Sequence, residues 1–446
     1  MGDEFRIGLS DRTQKYPQVV YNGEKYFVIW REKEENTRYY LINGVHVTTM
    51  GTLVDTPITL IKYFGTGGCH PAVAYGKDVY LVIWSGYLPD TGLYCAIFDT
   101  SLKDLNAERI KIDTTFGDAS CVFDGENFVV CWICKTESGD ELRVVKVSPE
   151  GKVLGEPKVL KRHWYVICWP PEVAFDGNNI LVLFALDEYY DEDIYCLKLN
   201  RDLQILKEFN VATDPNILEG TSGGQAIACG DNISYIAYCA RECVWGTYLG
   251  SLGQNSLLGK VEGYIGGPQI AYDGRNFLVV MGYFLDSDNY PMGVKGVLIG
   301  NSGEIKYRMD IVPVSYLDIS GEEICASSGQ FLVVYAKEID TTNWQSDRIF
   351  GRIVWDVEAC REHFVAYPNP CRDFINLQLI AVGDEEVEVK LYDVMGRLRM
   401  KKIFQLVGTG RQNFRINFSG LSEGIYFLIV KRGEKLFKKK ICKIGG

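Results

Sequence analysis

The residue types in this chain best suited to chemistry are carboxylates interleaved with aromatics. They gather in the segments that follow the second strand-like run of several repeats. The acids there include Glu32, Glu34, Asp90, Asp140, Glu141, Asp187, Asp193, Asp286 and Glu338. The aromatics are Tyr87, Tyr189, Tyr190, Trp245, Tyr283 and Trp344, joined by Trp164 from a neighbouring segment. Carboxylates accept hydrogen bonds and flat rings stack on apolar faces, so such a surface suits a glycan, a cationic peptide or a surface protein. The alternative is a solvated acidic rim that keeps the protein soluble. Asp187, Asp191 and Asp193 are a candidate set for Ca2+, a hard cation that takes several oxygens. They lack the alternating spacing and the glycine of a dedicated calcium loop, and no other cofactor is expected.

Catalytic motifs are scarce. His46, His70, His163 and His363 form no cluster in the sequence, and there is no G-x-S-x-G elbow and no P-loop. Two carboxylates facing each other across a channel could hydrolyse a glycosidic bond. A polysaccharide-active enzyme therefore stands as the alternative to a binding protein, with no residue singled out as catalytic. Among the 14 cysteines, Cys121, Cys131, Cys229 and Cys325 stand where sister repeats carry small apolar residues, so they read as core. Cys95 and Cys196 occupy matching places in two repeats and are expected to be unpaired. Cys131 and Cys134 have redox-pair spacing, but strand alternation sends i and i+3 to opposite faces. Cys239 with Cys243, and Cys360 with Cys371, are spaced so that each pair could form a disulfide.

The elements that must position these residues recur seven times. The unit is an apolar strand, an Asp-Gly or Asn-Gly turn, and a run of apolar residues ending in an aromatic or Met. Its clearest copies begin at Pro17-Gln18-Val19, Pro171-Glu172-Val173 and Pro268-Gln269-Ile270. The run-ending residues are Trp30, Trp84, Trp132, Phe184, Tyr238, Met281 and Tyr335, a period of 43 to 54 residues. Short strands repeating at that period indicate a propeller or solenoid. The second strand of each unit is apolar at nearly every position, as expected when both faces are buried. The seventh unit lacks a fourth strand, while a lone strand near Phe5 to Leu9 precedes the first. These add up to a seven-bladed β-propeller whose N-terminal strand closes the last blade and removes the free sheet edges. An open stack, or a ring of six or eight blades, is the alternative.

Charge separates the chain into two parts. From Phe364 onward basic residues outnumber acidic ones, while the preceding part is strongly acidic and the whole chain carries −11. An acidic body argues against nucleic acid, which needs a basic footprint. No apolar stretch is long enough for a transmembrane helix. Met1-Gly2-Asp3-Glu4 leads directly into a strand, so any leader is expected to have been removed upstream.

After Phe364 come short alternating strands at regular spacing, the pattern of a small Ig-like β-sandwich. Four motifs stand in order here: Tyr367-Pro368-Asn369-Pro370, then Val389 to Arg397 with Asp393 and Gly396, then Leu421 to Val430 with Gly424 and Tyr426, and the basic end from Phe437 to Lys443. This set resembles the type A C-terminal sorting domain of the type IX (Por) secretion system. The resemblance implies contact with secretion machinery, export across the outer membrane, and release or cell-surface attachment. The expected organisation is thus an all-β chain with a propeller over 1–360, a linker at 361–370 and a sorting or anchoring sandwich over 364–446. The leading function is binding or adhesion through the acidic–aromatic face, to a glycan or surface protein. A polysaccharide-active hydrolase or lyase, and a structural surface component, are the alternatives.

Overall fold

The computed structural model describes residues 1–65, 70–86, 91–106, 109–114, 117–164, 167–187, 192–212, 224–230, 233–240, 243–251, 256–260, 267–284, 292–315, 317–340, 346–355 and 364–445. The chain divides into two compact units, one built mainly from Asp3–Ser327 and the other mainly from Val354–Gly446.

The larger unit is a propeller-like set of four-stranded antiparallel sheets. The first sheet runs Gln14–Tyr21, Lys25–Lys33, Tyr39–Thr48 and Ile58–Phe64 in chain order, and five more follow the same order. A seventh is assembled from Ile319–Ser327, Gln330–Glu338 and Asp347–Trp355 with Phe5–Arg6 as its fourth strand. The first strand of each sheet touches the first strands of its two neighbours, and the cycle closes between Ile319–Ser327 and Gln14–Tyr21.

The continuous apolar second strands are explained by where alternate residues point. Phe128, Val130 and Trp132 pack with Leu81 and Ile83 of the preceding sheet. Val129 and Cys131 pack with Ile180, Val182 and Phe184 of the following one. Both faces of the strand are therefore interior. The same alternation puts Cys131 and Cys134 in different interfaces. It also corrects the expected Cys239–Cys243 pairing. Cys239 lies opposite Val244 and Cys243 opposite Ala240, so the two side chains point to opposite faces and no disulfide joins them. Cys371 is free, and Cys360 lies outside the described residues.

The recurring Asp-Gly turns have a common geometry. Asp124 Oδ1 accepts the backbone N–H of Glu126 at 2.9 Å and of Asn127 at 2.7 Å. Gly125 takes φ +92, a left-handed conformation that favours glycine. Asp176-Gly177 and Asp273-Gly274 repeat both features.

Ring closure at the N-terminus is short and heavily bonded. Phe5 pairs with Gly351 and Arg6 with Phe350, and the N–H groups of Ile7 and Gly8 donate to Ile349 O at 2.8 and 3.1 Å. Glu4 receives the Tyr335 hydroxyl at 2.6 Å and Lys337 Nζ at 2.8 Å. Burial opposes its ionisation, but Lys337 and Tyr335 outweigh that and hold the carboxyl below the ordinary 4.5.

The smaller unit has a three-stranded sheet of Phe364–Tyr367, Phe374–Val382 and Thr409–Asn417. Its four-stranded sheet runs Leu398–Leu406, Glu385–Asp393, Gly424–Arg432 and Lys435–Lys443. Ile375, Leu377 and Leu379 of one sheet share a buried core with Val389, Leu391, Leu428 and Val430 of the other.

Glu4→Gln should cost about 1–3 kcal/mol in a denaturant titration at pH 7, the usual loss for a charged hydrogen-bonding group. Because the folded-state pKa of Glu4 is depressed, its contribution exists above the ordinary carboxylate range and is lost as pH falls. The difference between variant and wild type should therefore close below about pH 3.

Candidate ligand-binding site

Near the starts of the first strands lies a cavity of about 370 Å³, lined from five sheets and by His70 just ahead of a sixth. Its polar groups come from one sequence position in several repeats, the residue before the apolar run of the first strand. Gln18 lies opposite Ile29, Glu172 opposite Leu183 and Gln269 opposite Val280. Gln225 stands one residue earlier, opposite the run-ending Tyr238. Glu322 and Glu323 are adjacent, so alternation turns them to the two neighbouring sheets. Glu322 accepts the Gly282 N–H at 2.5 Å, and Glu323 accepts Gln18 Nε2 at 2.9 Å.

Two bulges aim these side chains. The ladder register shifts between Lys15 and Gln18, and again between Cys168 and Glu172. Bulges re-aim side chains in this way and are frequent beside functional sites. The first bulge holds Tyr16 at φ +54, an unfavourable conformation for a bulky residue. The Tyr16 ring packs 3.9 Å from the His70 ring, with the Arg31 guanidinium 4.4 Å away. His70 donates its backbone N–H to Asp118 Oδ1 at 2.9 Å, and its Nδ1 lies 3.5 Å from Asp118 Oδ2. Burial and the nearby Arg31 lower the His70 pKa, against the opposing pull of Asp118.

The electrostatics of the cavity are one-sided. Three carboxyls line it, and no Lys or Arg does so among the described residues. Burial, reinforced by the charge of Glu323, pushes Glu172 up to about 8. Burial and Glu322 push Glu323 up to about 7, although the Ile324 N–H and Gln18 pull it back. Burial raises Glu322 too. Gln225 is only 4% exposed; its Nε2 makes a long contact to Pro170 O at 3.5 Å, and its Oε1 has no partner.

The acids expected on the outer loops behave differently. Glu141 is buried and clamped by Arg143 Nε at 2.9 Å and Arg162 Nε at 2.8 Å, which keep it below the ordinary range. Glu32 is buried too, accepting Ser10 Oγ at 2.6 Å and Asn43 Nδ2 at 2.9 Å. Both acids are bonded within the fold rather than set on a solvated rim.

The expected aromatic platform is corrected at Tyr283. Tyr283 is 3% exposed, with Lys295 Nζ 4.3 Å above its ring, and Trp245 packs against the core around Ile236 and Tyr238. Tyr283 lies on a sheet interface and presents no flat ring to solvent, while Trp245 is half-buried. Trp164 is 80% exposed at the end of Val153–His163. Tyr87, Tyr189, Tyr190 and Trp344 lie outside the described residues, as does Asp191 of the Ca2+ candidates. Asp187 ends the strand Ile180–Asp187, while Asp193 accepts the Tyr195 hydroxyl at 3.0 Å. Among the described residues no group of three or more His, Cys, Asp or Glu could hold a metal ion. The cavity acids were visible in the sequence only as motif positions. The signal that could have found them is that Glu or Gln recurs before the apolar run, where a strand would otherwise begin with an apolar residue.

The sorting motif is assembled at one end of the smaller unit. Asn369 donates Nδ2 to Lys440 O at 2.9 Å and accepts the Cys442 N–H at 2.8 Å, tying the Tyr367-Pro368-Asn369-Pro370 segment to the last strand. Both X–Pro bonds there are cis. Asp393 accepts the N–H of Met395 at 2.9 Å and of Arg397 at 3.0 Å, together with both neighbouring guanidinium groups. Desolvation opposes its ionisation, but those donors hold it down to about 2. Gly396 takes φ +75 in that turn and Gly424 φ +143 at the start of its strand, while Tyr426 is buried in the core.

Residues 365–444 match the family of secretion system C-terminal sorting domains. This segment is a type IX secretion-system sorting domain, and the protein is secreted or displayed at the outer-membrane surface. No curated protein matches the chain. Solved structures similar to it include a subtype N11 neuraminidase-like protein of a flat-faced bat H18N11 isolate, at 10% identity and TM-score 0.46, covering 79% of this chain and 90% of that one. The β-propeller domain of the Trilobed protease from Pyrococcus furiosus is similar at 12% identity and TM-score 0.46, covering 79% and 94%. A puromycin-hydrolyzing peptidase of Mycobacterium tuberculosis is similar at 12% identity and TM-score 0.47, covering 84% and 59%.

Between the ordinary 4.5 and its raised value, Glu172 is neutral when folded and ionised when unfolded. Folding therefore takes up a proton, and stability falls as pH rises from about 4.5 through 8. Glu172→Gln keeps the neutral shape and removes that slope. Thermal melts should put the variant about 2 °C or more above wild type at pH 8.5, and within about 1 °C of it at pH 4.5.

Proposed function

We propose that this is a secreted or cell-surface recognition protein: a seven-bladed β-propeller that takes a polar ligand into the throat of its ring, exported by an Ig-like C-terminal sandwich. The ligand is a glycan or a side chain of a surface protein. The closed cycle of first strands supports the seven-bladed reading. The Tyr426 hydroxyl donates to Ser422 O at 2.7 Å, four residues upstream, which supports the Ig-like one because tyrosine corners of that kind occur in Ig sandwiches.

The observation that carries the binding reading is the throat itself. Polar side chains from five sheets converge in one cavity, and one buried acceptor, Gln225 Oε1, is left without a partner. A buried unpartnered acceptor costs about 1–3 kcal/mol, which a bound donor would recover. A second reading, a glycoside-cleaving enzyme, is favoured by Glu172 and Glu323. Their values of about 8 and about 7 leave one carboxyl protonated and the other ready to give up its proton near neutral pH.

A screen of the intact protein against soluble glycans and surface-protein peptides, with product analysis of every hit, tests both. Binding without turnover, weakened about tenfold or more by Gln225→Leu, is the expected outcome. Turnover abolished by Glu172→Gln would establish the enzyme instead. Hits that Gln225→Leu leaves untouched would place recognition elsewhere on the propeller.

A further inference from the structure

We infer that the throat selects a ligand carrying an organic cation, a primary ammonium or guanidinium group, held by Glu172, Glu323 and Gln225 Oε1. The inference rests on the throat reading above and gives that site a chemical class.

Glu172, Glu322 and Glu323 line the cavity with no Lys or Arg beside them among the described residues. Elsewhere in the same unit a buried acid is given its own cation, as Glu141 is by Arg143 and Arg162. Buried charges are ordinarily paired, and an unpaired group neutralises itself by holding its proton. Glu172 and Glu323 do so, while Gln225 Oε1 offers a further acceptor with nothing to accept from. A neutral polyol could donate to the same acceptors but would bring no charge to the carboxyls. A multi-proton cation satisfies several at once and also supplies the missing charge.

Binding such a cation must expel protons from the carboxyls. Glu172 and Glu323 feel each other, with the Cys121 and Cys131 thiols beside Glu172 and Glu322, Gln18 and the Cys325 thiol beside Glu323; Gln225, Gln269, His70 and Tyr16 also line the cavity. Arg31 and Asp118 stand behind Tyr16 and His70. The carboxyls have the largest shifts into the neutral range, so affinity for a cation rises with pH as they ionise.

Calorimetric titration of the full chain with agmatine and 1,5-diaminopentane, against neutral 1,5-pentanediol and a neutral oligosaccharide, tests the inference. Both cations should bind with release of protons, seen as a dependence of the heat on buffer ionisation. Affinity should rise about tenfold from pH 6 to pH 8. Glu323→Gln should weaken both cations about tenfold or more, and Glu156→Gln, at an exposed acid on an outer strand, should leave them unchanged. Thermal melts of each variant establish that it is folded. Cations binding no better than the diol, or Glu156→Gln mattering as much as Glu323→Gln, would overturn the cation assignment. If the oligosaccharide binds and Gln225→Leu abolishes it while the cations do not bind, the cation class falls and the throat site stands. If no probe binds and no hit from the glycan and peptide screen responds to Gln225→Leu, both fall.

Discussion

Everything in the larger unit depends on the pairing that closes its ring. The last sheet has only three strands of its own until Phe5–Arg6 is added, and Glu4, bonded to Tyr335 and Lys337, pins that addition. Without it, the outer strand of the last sheet would expose a row of unpaired backbone groups. The throat depends on the same closure. Gln18 and Glu323 meet at 2.9 Å only because the first and last sheets are neighbours, although 305 residues separate them in the chain.

Carboxyl groups in this protein take two opposite courses, and their partners decide which. Asp393 and Glu141 are surrounded by donors and cations and ionise more readily than usual. Glu172 and Glu323 have the burial without the cation and hold their protons instead. Desolvation acts on all four, so the presence or absence of a guanidinium separates an acid that ionises readily from one that keeps its proton. The same comparison shows why the loop acids were poor guides: several have already spent their charge on Arg or amide neighbours within the fold.

The C-terminal unit carries its function in a different way. Asn369 and the Asp393 turn are bonded largely to backbone N–H and C=O groups, so the motif residues set the shape of the domain's end. This is why a short stretch of sequence is diagnostic there, whereas the propeller's repeats specify an architecture that hosts many activities.

Period and alternation made the all-β architecture legible from the chain alone. The Asp-Gly turns, the doubly buried second strands and the lone strand ahead of the first repeat are local patterns, and hydrogen bonding and burial act on them locally. The sorting motif was legible for the same reason. The throat was not. Glu172, Gln225 and Glu323 lie far apart in sequence, and nothing local distinguishes a Glu that will face a channel from one on a solvated strand. Tyr283 misled for the converse reason: an aromatic there suited stacking, but sheet-on-sheet packing had already consumed that face. The sequence by itself determined which segments become strands and which end carries the sorting domain. Only the closed ring decided which acids are left unpaired, because that depends on charges and donors brought together across sheets rather than along the chain.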